Sequence, residues 1–135
     1  MKFMIYNSRS LSKPFEDIDM EILRTAVAFN AAHDVTGFLH RSAQHYYQYL
    51  EGPSHHIDAL LDRIAKDTRH TEFHLLQSGN TDQRRFGSWS MGYSRIARAA
   101  QTALLTPDSS GHEVSQVLHQ EALRQQADAP SEDPA

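Results

Sequence analysis

Three neutral polar side chains stand in segments that are otherwise apolar. Gln48 interrupts the aromatic run 46–50, Tyr6 lies in the first apolar segment, and Asn30 lies in the apolar stripe that follows Asp17. A buried amide needs partners, because leaving its polar groups unpaired costs roughly 1 to 3 kcal/mol. Neutral donors and acceptors that converge between a helix and a sheet suit a flat heteroaromatic ligand with imide-like edges, such as a flavin, better than an ion or a phosphate.

Each of these residues also has an ordinary structural explanation. Gln48 could be a core amide bonded to the backbone, Asn30 could cap a helix C-terminus, and Tyr6 could simply pack. Arg63 and Asp67, four residues apart, could form an exposed ion pair on a helix. Alternatively, the Arg63 guanidinium could reach a phosphate or ring carbonyl of a ligand between two helices. The residues alone leave both explanations open.

Hydrophobic periodicity predicts the elements that must position these side chains. Alternation predicts strands over residues 2–6, 35–41, 46–51, 71–78 and 86–93, with the second and third paired as an antiparallel hairpin and a polar loop after the first. A first helix begins at Asp17, with the inward face Ile18, Ile22, Leu23, Ala26, Val27 and Asn30. A second helix is capped by Ser54 and ends near Asp67, with the core stripe Ile57, Leu60, Leu61 and Ile64.

The order βαββαββ predicts an α+β, ferredoxin-like fold. Its mixed five-stranded sheet would carry two helices on one face, with the ligand held between them. Residues 1–98 are the predicted ligand-binding domain and 99–127 a C-terminal helical extension, while 128–135 are too polar to be ordered. The extension contains a predicted helix over 112–126 with the apolar points Val114, Val117, Leu118 and Leu123.

Composition excludes several classes of function. A net charge of -4, with no basic cluster beyond Arg84-Arg85, argues against nucleic acid as a partner. The absence of Cys excludes disulfides, thiolate metal sites and a Cys nucleophile. No apolar stretch approaches the roughly 20 residues that span a bilayer, so we expect a cytoplasmic protein without membrane association.

Known catalytic and metal-binding spacings are missing from the sequence. The nine His residues include His40 and His45, which could meet across the predicted hairpin, but no HExxH or similar ligand spacing is present. We therefore predict no metal. The chain also lacks GxSxG, P-loop and GxGxxG motifs, which leaves hydrolysis with little support.

Five fragments, in this order, resemble the BLUF (blue light using flavin) photoreceptor family. They are Tyr6-x-Ser8, Asn30 followed by Val35-Thr36-Gly37, Gln48-x-Leu50-Glu51-Gly52, Asp67-x-Arg69-His70 and Trp89-Ser90-Met91-Gly92. The resemblance covers residues 2 to 95, and the Gln-x-Leu-Glu-Gly segment is its most specific part. It implies a short, single-domain photoreceptor and not an enzyme.

The resemblance implies a flavin bound noncovalently between the two helices, usually FAD, with FMN or riboflavin as alternatives. The implied cofactor-binding residues are Tyr6, Asn30, Gln48, Arg63 and Asp67. Light would drive electron and proton transfer from Tyr6 to the flavin, after which the hydrogen bonds of Gln48 would rearrange. Trp89 and Met91 would relay the signal to a separate protein partner, and we expect the receptor to be a homodimer.

The sequence departs from the family pattern at three positions. Phe29 replaces the polar residue that usually precedes Asn30, which removes a ring or ribose contact, while Asp34 and Arg41 stand where Gly and an aromatic residue are common. Because of Phe29, a second hypothesis is a light-insensitive binding or interaction module of the same fold. A third hypothesis is an acylphosphatase-like hydrolase that uses Arg9 and Asn30.

Overall fold

The computed structural model describes residues 1–11, 17–87, 92–95 and 105–128. The elements are β1 (Lys2–Ser10), α1 (Asp17–Ala32), β2 (Thr36–Arg41), β3 (His45–Gly52), α2 (Ser54–Ala65), β4 (His70–Asn80), β5 (Gly92–Arg95) and α3 (Gly111–Asp128). The predicted βαββαββ order with a C-terminal helix is confirmed.

The five strands form one mixed sheet in the order β4-β1-β3-β2-β5. β3 lies at its centre, and the neighbouring β1 pairs antiparallel with both β3 and β4. β2 and β3 form the predicted antiparallel hairpin, whereas β2 pairs parallel with β5. The ferredoxin-like α+β fold predicted from the order of elements is therefore confirmed.

The sheet separates two hydrophobic cores. On one face, α1 and α2 pack against Met4, Leu39 and Leu50. On the other face, α3 packs against a core that contains Ile5 and Tyr47. Because successive side chains of a strand point to opposite faces, the residues that face α1 and α2 alternate with those that face α3.

β1 extends four residues beyond the predicted end at Tyr6. Arg9 pairs with His45 of β3, and Ser10 pairs with His70 of β4. The polar segment 7–10 was predicted as a loop because its composition is typical of turns. Hydrogen bonding to a strand on each side outweighs that local preference, as is common for central strands.

The last strand was also predicted with the wrong start. Phe86 and Gly87 lie in a turn, and the strand begins at Gly92. Phe86 is nevertheless a core residue, because its backbone amide donates to the buried carboxylate of Glu51 at 2.7 Å. Trp89 and Met91 lie outside the residues that the structure describes.

Two details of the helices differ from prediction. Pro53, and not Ser54, is the N-cap of α2, and its carbonyl oxygen accepts the amide hydrogen of Ile57 at 3.1 Å. Val27, which was predicted to point inward, and Leu123, one of the apolar points of the predicted C-terminal helix, are both exposed. In both helices the buried face is narrower than the apolar pattern suggests. The neighbouring alanines, Ala26 in α1 and Ala122 in α3, contribute to the packing.

The docking of α3 on the sheet can be tested with two leucines of the same helix. Leu118 has no exposed surface, whereas Leu123 is 51% exposed. We expect Leu118→Ala to lower the free energy of unfolding by about 2–5 kcal/mol, since it leaves a cavity beneath α3. Leu123→Ala should change it by about 0.5 kcal/mol or less. Urea denaturation measures both, and equal effects would show that α3 is not docked.

Candidate functional site

A cavity of about 540 Å³ lies between α1, α2 and the sheet. All five residues predicted to bind a cofactor border it: Tyr6, Asn30, Gln48, Arg63 and Asp67. Apolar walls come from both helices and the sheet, including Ile22, Leu39, Leu50 and Ile64. The residue pattern for Tyr6, Asn30 and Gln48, and the family resemblance for Arg63 and Asp67, thus named residues that border one space, although neither could define its shape.

Tyr6 and Gln48 face each other across the two central strands. They are direct partners in the β1–β3 register, and the Tyr6 hydroxyl donates a hydrogen bond to Gln48 Oε1. Both side chains are buried. Burial, together with the nearby Tyr46 and Asp67, raises the pKa of the Tyr6 phenol well above its ordinary value. The phenol therefore keeps its proton at physiological pH and can donate a hydrogen bond.

His70 holds the wall of the cavity beside Tyr6. Its Nε2 lies 2.5 Å from the carbonyl oxygen of Ile64, and its Nδ1 lies 2.7 Å from Ser8 Oγ. Since a carbonyl oxygen only accepts, Nε2 carries the proton and Nδ1 accepts from the Ser8 hydroxyl. His70 thereby joins β1, β4 and the end of α2. The ring of Phe73 packs against that of Tyr6, with the ring centroids 5.0 Å apart.

Asn30 and Phe29 form the α1 side of the site. Asn30 is buried, and its backbone carbonyl accepts the Val35 amide hydrogen at 2.9 Å. The neighbouring Phe29 ring lies 4.9 Å from the Arg63 guanidinium and stacks on His33 at 4.0 Å. A cation above an aromatic face is attracted to it. Phe29 thus provides a surface that orients Arg63 at the cavity wall.

Asp67 pairs with Arg69 and not, as the spacing suggested, with Arg63. Arg69 Nη2 lies 2.5 Å from Asp67 Oδ2, and Arg69 Nε lies 2.9 Å from Oδ1. These hydrogen bonds lower the pKa of the Asp67 carboxyl below its ordinary value. A charged carboxylate of fixed orientation therefore borders the cavity.

The donor set of the cavity fits a flavin. Within the described part of the chain, no group of three or more His, Asp or Glu residues is placed to hold a metal ion. Two amides, two phenols, two guanidinium groups and the Asp67 carboxylate border an apolar space. That space falls within the roughly 300–1,000 Å³ typical of small-molecule sites. Such groups match the alternating donors and acceptors at the edge of an isoalloxazine ring.

A family profile for BLUF, sensors of blue-light using FAD, matches residues 1–92. The chain belongs to the BLUF family. The family is described as one of blue-light sensors, and a site built from hydrogen-bonding amides agrees with that description. Within the described residues, no helix of this BLUF domain is long and apolar enough to cross a membrane.

Two curated relatives show what larger proteins contain such a domain. The BLUF domain is 34% identical over 76 residues to the photoactivated adenylate cyclase subunit beta of Euglena longa, which covers 56% of this chain and 9% of that protein. It is 33% identical over 89 residues to the blue light- and temperature-regulated antirepressor BluF of Escherichia coli strain K12, covering 65% and 22%. The chain therefore spans less than a quarter of the length of either relative.

Solved structures match nearly the whole chain. The dark-state structure of BlrB, a BLUF protein, aligns with a TM-score of 0.72 and 28% identity over 91% of this chain and 96% of that one. BlsA in its photo-activated state aligns with a TM-score of 0.74 and 24% identity over the same shares. The second match supports the fold alone.

Tyr46 is a cavity residue to which the sequence analysis gave no role. It borders the same space as Gln48, and its hydroxyl donates to Asp19 Oδ1 at 2.6 Å. Strand alternation already placed Tyr46 on the face of Gln48. Its partner could not be found in this way, because Asp19 belongs to α1 and is distant in sequence.

The Asp67–Arg69 pair should affect stability in a pH-dependent manner. Because both side chains are partly exposed, we expect Arg69→Gln to cost at most about 1 kcal/mol at neutral pH. A carboxyl whose pKa is lowered in the folded state contributes stability above its unfolded pKa and loses it as the pH falls through the folded value. The cost should therefore vanish well below pH 3.8.

Urea denaturation across this pH range tests the assignment. In an Asp67→Asn background, the effect of Arg69→Gln on the free energy of unfolding should not depend on pH in this range. A pH-dependent cost that persists in this background would assign the effect to another carboxyl.

Proposed function

We propose that this BLUF domain is a blue-light photoreceptor that binds FAD noncovalently between α1 and α2. Its switch would be the hydrogen bonding of Gln48. The hydrogen bond between the Tyr6 hydroxyl and Gln48 Oε1, buried at the cavity wall, is the observation that carries this proposal. The family description favours FAD, while FMN or riboflavin would use the same ring-binding groups.

Different residues of the cavity would bind different groups of the flavin. The Asn30 and Gln48 amides offer both donors and acceptors to the polar edge of the ring, and the Asp67 carboxylate accepts from a ring N–H. Arg63, oriented by Phe29, suits a ring carbonyl or a phosphate. The apolar walls exclude water, which strengthens each of these hydrogen bonds.

When bound, the flavin supplies absorption of blue light and, once excited, accepts an electron. Tyr6 would give up that electron transiently while its phenolic proton moves toward Gln48 Oε1, and both would return to Tyr6 once the amide has rearranged. The two ends of an amide are nearly equal in size, so rotation or tautomerisation of Gln48 exchanges donor and acceptor with little repacking. The switch therefore changes the polarity of hydrogen bonding within a fixed cavity.

A route toward an output begins on the same strand. Asn7, next to Tyr6, donates from Nδ2 to the carbonyl oxygen of Pro107 at 3.0 Å, just before α3. A change of hydrogen bonding at Tyr6 could thus shift the population of docked α3. We propose that α3 presents the signal to a separate protein partner and that the receptor acts as a homodimer. Relay through Trp89 and Met91 stays a prediction.

The hydrolase hypothesis finds no matching arrangement. Asn30 borders the cavity beneath α1 and α2, whereas Arg9 is exposed and alternates onto the face of the sheet that carries α3. The two side chains therefore cannot act on one acyl phosphate. A light-insensitive module of the same fold is the alternative that spectroscopy must decide.

The purified protein should be yellow, or become so when it is reconstituted with FAD. Blue illumination should shift the flavin absorption band slightly to the red, because a hydrogen bond to a ring carbonyl becomes stronger, and the shift should decay in the dark. Absorption spectra before and after illumination measure this. A protein that takes up no flavin would overturn the proposal, and one that takes it up without any shift would be the light-insensitive module.

Gln48→Leu should retain flavin but lose the light-induced shift. Leucine roughly keeps the volume of glutamine and removes its donors and its acceptor. Gln83→Leu, at an exposed position of the loop after β4, is a matched control that should preserve the shift. The same spectra serve for both variants. A normal photocycle in Gln48→Leu would refute the role of this amide.

A further inference from the structure

A second buried tyrosine borders the flavin cavity. Tyr46 precedes Gln48 by two residues on β3, so both side chains leave the same face of the sheet. Its relative exposure is 3%, and it lines the same cavity as Tyr6. Any flat ring that fills a space of about 540 Å³ lies close to both phenols.

The Tyr46 hydroxyl has a carboxylate as its acceptor. It donates to Asp19 Oδ1 at 2.6 Å, while Asp19 Oδ2 lies 3.5 Å from Nε of Arg41. The Asp19 and Arg41 side chains are 2% and 0% exposed. The Arg41 guanidinium also lies 4.8 Å from the centre of the Tyr46 ring. The result is a buried trio of phenol, carboxylate and guanidinium at the edge of the cavity.

Stability alone is a poor explanation for this trio. Replacing a buried ion pair with well-packed apolar residues is often neutral or stabilising, because the desolvation of two charges offsets their attraction. Tyr47, the neighbouring tyrosine on the opposite face of the sheet, packs in the α3 core, and its hydroxyl is hydrogen-bonded to the Ser42 side chain and not to a carboxylate. The arrangement around Tyr46 therefore suggests a chemical role.

We propose that Tyr46 is a second electron donor to the photoexcited flavin, with Asp19 as its proton acceptor, in competition with Tyr6. The inference rests on the proposed function. In this step the O–H bond of Tyr46 breaks, its electron passes to the excited flavin, and its proton passes to Asp19 Oδ1. A neutral tyrosyl radical and a neutral carboxylic acid result, and both are reversed when the electron returns.

The two tyrosines differ in the base that receives the proton. Tyr6 faces an amide oxygen, whereas Tyr46 faces a carboxylate, which is a much stronger base. Burial raises the pKa of both phenols, so each holds its proton until it is oxidised. The Arg41 side chain lies beside the other carboxylate oxygen of the acceptor, with its Nε 3.5 Å from Asp19 Oδ2.

Electron transfer from Tyr46 leaves the hydrogen bonds of Gln48 unchanged. After each such transfer, the electron and proton return and the site is again in its starting state, so that no signal is produced. Tyr46 therefore limits the yield of the photoreaction, and removing its hydroxyl should increase the fraction of absorbed photons that produce the red shift.

The test compares flavin-loaded variants by time-resolved spectroscopy. In Tyr6→Phe, where the signalling donor is absent, the flavin fluorescence lifetime should remain short. In Tyr6→Phe/Tyr46→Phe it should lengthen severalfold. Tyr6→Phe/Tyr47→Phe, which changes the neighbouring tyrosine on the other face of the sheet, is the matched control and should behave as Tyr6→Phe does.

A second readout follows the proton directly. Time-resolved infrared difference spectra of Tyr6→Phe should show a transient protonated carboxylic acid, and this band should disappear in Tyr6→Phe/Asp19→Asn. The measurement needs no change at Tyr46, so a Tyr46 variant that fails to fold does not decide the outcome.

The failure of this inference is distinguishable from that of the proposed function. A wild-type protein without flavin, or without a light-induced red shift, overturns the proposed function. If the wild type shifts normally, two results overturn the role of Tyr46 alone. One is an equal lifetime in Tyr6→Phe and Tyr6→Phe/Tyr46→Phe, and the other is the absence of the carboxylic acid band.

Discussion

The hydrogen bond between Tyr6 and Gln48 depends on the register of the two central strands. A slip of one residue between β1 and β3 would turn Gln48 toward α3 and remove it from the cavity. Two features near the end of β3 fix this strand against other neighbouring segments. Glu51 is buried and accepts the backbone amides of Arg85 and Phe86 at 2.8 and 2.7 Å. At Gly37, an added Cβ would lie 2.1 Å from the Tyr49 carbonyl oxygen, so β2 can approach β3 closely only with glycine there.

The same register separates the two tasks of the domain. Residues of β1 and β3 that face α1 and α2 form the polar wall of the cavity, and their immediate neighbours pack beneath α3. Tyr6 with Asn7, and Gln48 with Tyr47, are such pairs of neighbours. If a change at Tyr6 or Gln48 moved the strand backbone, it would therefore directly shift the neighbouring side chains that face α3. No long chain of intermediates is needed to connect the cavity with α3.

Local patterns were sufficient where a residue's environment follows from its own element. Alternation along β3 oriented Gln48, and the periodicity of α1 oriented Asn30. Patterns failed where a partner from another element decides. Asp67 was matched with Arg63 by the rule for residues four apart on a helix, but α2 ends at Ala65, so that rule does not reach Asp67. The pairing of Tyr46 with Asp19 joins β3 to α1, and no periodicity relates them. The roles of these residues in flavin binding stay predictions, because the cavity shows which side chains line it and not which of them bind the flavin.

Under the proposed mechanism, the chemistry of the two proton acceptors explains why only one of the two tyrosines would signal. A carboxylate has two equivalent oxygens, so a proton that arrives at Asp19 and leaves again restores the original pattern of donors and acceptors. The Gln48 amide has unlike ends, and exchanging them yields a different pattern of nearly the same shape. A buried site keeps that new pattern because reversing it requires the amide to break its hydrogen bonds away from water. Storage of a light signal thus requires an acceptor that is a weak base but has two distinct orientations. Tyr6 has such an acceptor, and Tyr46, with the stronger base, does not.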